Sequence, residues 1–75
     1  MTGYDKKTIK HIHVGRIAAE VEVTLHYDDE IDRSPTIGPD DTEKLDRVAR
    51  ALKKGEVAAA AKEAKVFELL PLAGG

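Results

Sequence analysis

The sequence predicts an α+β domain in which an N-terminal β-hairpin is followed by two helices packed on its apolar face. Three observations predict it. Residues 8–27 alternate apolar and polar side chains around a break at Gly15-Arg16, residues 40–54 repeat apolar side chains at helical spacing, and residues 28–39 between them collect acids and prolines. The 75 residues make one domain, 1–75. A chain this short buries only about 60–65% of its unfolded surface, so its stability margin is thin.

The hairpin occupies 8–27. Ile17, Ala19, Val21, Val23, Leu25 and Tyr27 alternate with Ala18, Glu20, Glu22, Thr24, His26 and Asp28, a period of two that marks a strand with one wet face. Ile12 and Val14 share a parity upstream. A two-residue turn with Gly first suits type II′. Closure at Gly15-Arg16 pairs Val14 with Ile17, Ile12 with Ala19 and Lys10 with Val21, which brings the apolar faces of both strands together.

Residues 28–39 read as an acidic loop. Pro35, Gly38 and Pro39 interrupt any continuous element, and Ile31 and Ile37 are expected to tack the loop to the core. The first helix spans 40–54. Asp40 is its expected N-cap with Glu43 completing a capping box, and Leu45, Val48, Ala49 and Leu52 form its buried stripe. Lys53 and Lys54 complement the dipole, and Gly55 suits the C′ position.

Residues 56–70 read as a second helix, since Ala58–Ala61 favour it and nothing breaks it before Pro71. Val57, Ala60, Ala61, Ala64 and Phe67 then cluster on one side, leaving Val66, Leu69 and Leu70 opposite, near Lys62 and Lys65. The alternative makes residues 66–70 a third strand beside the hairpin, in which case the same side chains hold the monomer together.

Composition excludes several function classes. With no Cys there is neither a disulfide nor a Cys-based metal site. The start of the chain is polar, without a secretory apolar region, and no apolar run approaches the ~20 residues of a membrane span, so a soluble cytoplasmic protein is expected. Net charge is −2 but uneven, with residues 1–16 at +3, 17–43 at −8 and 44–75 at +3.

Candidate chemistry is sparse. His11 and His13 share a strand face and Glu20 lies beside His11, but His26 sits about 20 Å further along the strand, so no metal set converges. Asp28-Asp29-Glu30 with Asp32 lacks the spacing and the Gly of a calcium loop. Ser34 is the only Ser and has no elbow motif, and no phosphate-binding glycine loop occurs. The chain is therefore read as non-enzymatic, without metal or cofactor.

The expected function is that of a small non-catalytic interaction module, a regulatory or accessory protein acting through a protein partner or as a homodimer, with Val66, Leu69 and Leu70 as its contact residues. A nucleic-acid-binding regulator is the alternative. Arg47, Arg50 and Lys54 lie along one side of the first helix, although the acidic total and the absence of Asn and Gln argue against base reading. The chain ends Leu70-Pro71-Leu72-Ala73-Gly74-Gly75. Over its last five or so residues this tail resembles those of ubiquitin-like proteins and small sulfur carriers, which implies a carrier role for the Gly75 carboxylate. Those families use a β-grasp fold with strands after the helix, where this chain has its Ala-rich stretch.

Overall fold

The computed structural model describes residues 3–28 and 34–72. Strands β1 (Tyr4–Val14) and β2 (Ile17–Tyr27) form the hairpin, paired antiparallel without a bulge from Val14↔Ile17 through Ile12↔Ala19 to Tyr4↔Tyr27. The register is the one the turn dictates. Gly15 takes φ +59° and no other turn residue is positive, which is the type II′ pattern. The pairing runs four residues further than the alternation alone reached, to Tyr4. There the Tyr4 and Tyr27 rings stack at 4.7 Å, and Asp5 Oδ1 lies 2.7 Å from His26 Nδ1.

Two short strands share the second edge of β2. β3 (Thr36–Ile37) pairs with Leu25 and His26, and β4 (Lys65–Glu68) pairs with Ile17–Glu20. Both run antiparallel to β2, so they are two ends of one interrupted strand. The helices α1 (Pro39–Lys53) and α2 (Val57–Ala61) are the excursion between them, laid on the odd-numbered face of β2.

The core follows from that layering. Ala19, Val21 and Val23 of β2 meet Val48, Ala51 and Leu52 of α1 and Ala60 of α2. Ile12, Val14, Ile17, Ile37, Leu45, Ala64 and Val66 pack around them. No aromatic ring is among the buried residues described, so the sheet–helix contact rests on small and β-branched side chains. At about 1.5 Å per residue α1 is about 22 Å long, whereas the hairpin strands extend about 36 Å. The Tyr4 end therefore projects beyond the helical layer.

Three expectations for the helices need correction. The N-cap is Gly38, with Pro39 at the first helical position and no side-chain cap, so Asp40 and Glu43 form no capping box. Starting early leaves Asp41 free to turn to the sheet, where its Oδ2 accepts the Thr24 N–H at 2.7 Å. That contact occupies the gap between β3 and β4. The buried stripe includes Ala51, while Leu45 and Ala49 are only half-buried. The C-terminus is as expected: Gly55 (φ +77°) donates to Leu52 O and Glu56 to Ala51 O, the two bonds of a Schellman motif.

The continuous helix over 56–70 does not form. α2 stops at Ala61, and Lys65–Glu68 is the third-strand alternative realised. The physical reason is that β2 offers alternate N–H and C=O groups along its second edge, at Ala18 and Glu20, and a strand satisfies them. Val66 drops onto the core at the same time, a gain that alanine propensity cannot match. The loop expected over 28–39 contains β3. Ile37 packs on the core as expected, and Ile31 lies outside the described residues. Among the described residues no helix is long and apolar enough to cross a membrane.

Candidate interaction surface

The helices cover one face of the sheet. The even-numbered residues of β2 and the odd-numbered residues of β1 and β4 form the other. At the turn end its rows follow from the registers: His13, Ala18 and Phe67 lie side by side, then His11, Glu20 and Lys65, then Ile9 and Glu22. Leu69 N donates to Arg16 O at 2.6 Å, which extends the pairing past β4 and puts Leu69 in line with Phe67.

This places the expected contact residues unequally. Val66 faces the core, half-buried against it, and is not part of an exposed patch. Leu69 and Leu70 are 45% and 72% exposed. Phe67, assigned by the helical wheel to the inner side, is 44% exposed, and Leu72 is 86% exposed. The strand alternation explains the exchange, because on a period of two Val66 and Phe67 must point to opposite faces. The sequence signal for Phe67 was its odd offset from Val66, which only a strand reading uses.

The basic side of α1 is largely engaged. Arg47 grips Glu63 with Nε and Nη2, at 3.0 Å to Oε2 and 2.6 Å to Oε1, tying α1 to the segment that leads into β4. The hydrogen bond to Arg47 holds the Glu63 carboxyl below its usual range and raises the guanidinium pKa in turn. Arg50 pairs with Asp46 at 3.0 Å, and Lys54 is exposed. Two of the three residues of the candidate nucleic-acid surface thus make ion pairs within the domain.

His11 Nε2 lies 3.4 Å from Glu20 Oε2, as the register requires, and His13 lies opposite Ala18. Among the described residues no three His, Cys, Asp or Glu side chains converge as metal ligands. An open cleft on the outer face is lined by Ile9, Glu20, Glu22, Glu63, Ala64 and Lys65. Two of its three glutamates are already paired, with His11 and Arg47. Asp29, Glu30, Asp32, Gly74 and Gly75 lie outside the described residues. No family model, curated protein or solved structure matches this chain.

Proposed function

We propose that this chain is a non-catalytic interaction module that binds a protein partner through the apolar surface at the β4 end. The observation that carries this reading is the exposure of Phe67, Leu69, Leu70 and Leu72 within six residues of one another, in a domain whose core is otherwise thin. Phe67 and Leu69 share the outer face of the sheet at its turn end, and neighbouring exposed apolar side chains of this kind mark interaction sites more than scattered single ones do. Phe67 is the only Phe, and an aromatic anchor beside aliphatic neighbours is typical of the energetic centre of an interface. The ion pairs of Arg47 and Arg50 count against a nucleic-acid role for α1.

The test compares wild type with Phe67→Ser and Leu69→Glu by cross-linking in native lysate. Because both side chains point away from the core, each variant should keep the wild-type circular dichroism and a cooperative thermal transition while losing a stoichiometric cross-linked partner. An identical cross-linked set for wild type and both folded variants would reject this surface.

A further inference from the structure

We propose that the free edge of β1 is a self-association surface, on which a second copy of this chain adds its own β1 antiparallel about a two-fold axis through Ile9. The reading concerns the edge opposite to β4 and stands apart from the apolar patch at Phe67. Flanking a two-residue turn, Val14 and Ile17 are a hydrogen-bonded pair, so the even residues of β1 bond to β2. The N–H and C=O groups of Asp5, Lys7, Ile9, His11 and His13 therefore point outward. Among the described residues no strand pairs with that edge. The edge is 11 residues long, without proline and without a bulge, and its lysines, Lys6, Lys7 and Lys10, are the feature that any added strand must accommodate.

The side chains select the occupant and the register. Tyr4–Val14 is centred on Ile9, so an axis there pairs the whole strand and makes about ten hydrogen bonds. It sets Lys6 opposite Ile12 of the second copy, Lys7 opposite His11, Thr8 opposite Lys10, Asp5 opposite His13 and Tyr4 opposite Val14. No lysine meets another. A shift by one residue to Thr8 sets Lys6 against Lys10, and a shift to Lys10 sets that residue against itself. Both arrangements oppose like charges directly and shorten the pairing. Ile9 is 46% exposed between Lys7 and His11 and opposite Glu22, an apolar side chain only partly covered in the monomer. On the axis it covers its own copy. Because the axis is perpendicular to the sheet, both helical layers lie on one side and both outer faces on the other.

The native chain has no cysteine, which makes a single-thiol test clean. Residues on the axis in a hydrogen-bonded pair stand about 5.5 Å apart at Cα, within disulfide range. Ile9→Cys should oxidise to a covalent dimer, whereas Lys7→Cys and His11→Cys should cross-link when mixed and not alone. Wild type should sediment as a dimer, and Lys7→Pro should sediment as a folded monomer, because its lost N–H faces the open edge and not β2. A monomeric wild type at 100 µM would overturn the proposal. Equal cross-linking at positions 5, 9 and 13 would overturn the register. A dimer that survives Lys7→Pro but dissociates in Leu69→Glu would move the contact to the Phe67 patch and reject the edge.

Discussion

The two strands of the hairpin have equal length and a continuous register, yet they live in different surroundings. β2 is central, with neighbours on both edges and helices across its odd face, where Val21 and Val23 are fully buried. β1 is lateral, and the residues facing Val21, Val23 and Leu25 from it are Lys10, Thr8 and Lys6. Only Ile12 and Val14, next to the turn, join the core. The difference teaches that hydrogen-bond pairing and core formation are separable in this fold. Toward its Tyr4 end β1 brings no side chain to the core, while β2 is held by the ladder and by the packing of Ala19, Val21 and Val23.

The sharpest way to break that contrast is to change two residues that face each other. Val21→Asp should abolish folding, seen as loss of the cooperative thermal transition. The margin of a 75-residue domain is about 4–11 kcal/mol, and an unpaired carboxylate in the core costs several kcal/mol of it. Lys10→Asp, directly across the ladder, should change stability by less than about 0.5 kcal/mol. A comparable loss from both would show that β1 is packed as tightly as its neighbour.

An intermediate effect is expected where β2 is bonded by a side chain instead of a strand. Asp41→Ala leaves the Thr24 N–H without its acceptor and should lower stability by about 1–3 kcal/mol. Asp41→Asn keeps an acceptor oxygen and should recover most of that loss. Equal urea midpoints for Asp41→Ala and wild type would show that the gap between β3 and β4 needs no closure.

The smallest effect belongs to Arg47 and Glu63 at the surface. The Glu63 pKa is depressed in the folded state by its hydrogen bond to Arg47. Its contribution is then present above the unfolded glutamate value, about 4.3, and is lost as pH falls through the lower folded value. Wild type should therefore be more stable than Glu63→Gln at neutral pH, with the gap closing in acid. A pH-independent difference in melting temperature would assign the effect of Glu63 to packing.

The hairpin register was legible in the sequence because two constraints agreed: the alternation of Ile12, Val14, Ile17, Ala19 and Val21, and the glycine turn that fixed their phase. The Schellman end at Gly55 was legible for a similar reason, since one residue carries its conformational requirement. Residues 56–70 misled because alanine propensity is local, whereas the groups that β4 satisfies belong to Ala18 and Glu20, far along the chain. The same error displaced the candidate surface. Val66 and Phe67 exchange faces between a helical and an extended reading, and only the vacant edge of β2 decides between them. Asp41 was invisible as a sheet contact because it resembles an ordinary acid in a first helical turn.

The interrupted strand along β2 carries a consequence for the order of assembly. β1 and β2 meet across two residues, a closure of microseconds. β4 meets the same strand across about fifty residues, at a larger loop-closure cost. Its reward is four residues of pairing and the burial of Val66. The hairpin is thus the seed, the docking of α1 follows through the Asp41 bond and the Val48 contact, and β4 closes last. The fold is zipped from its N-terminal end and fastened at its C-terminal one.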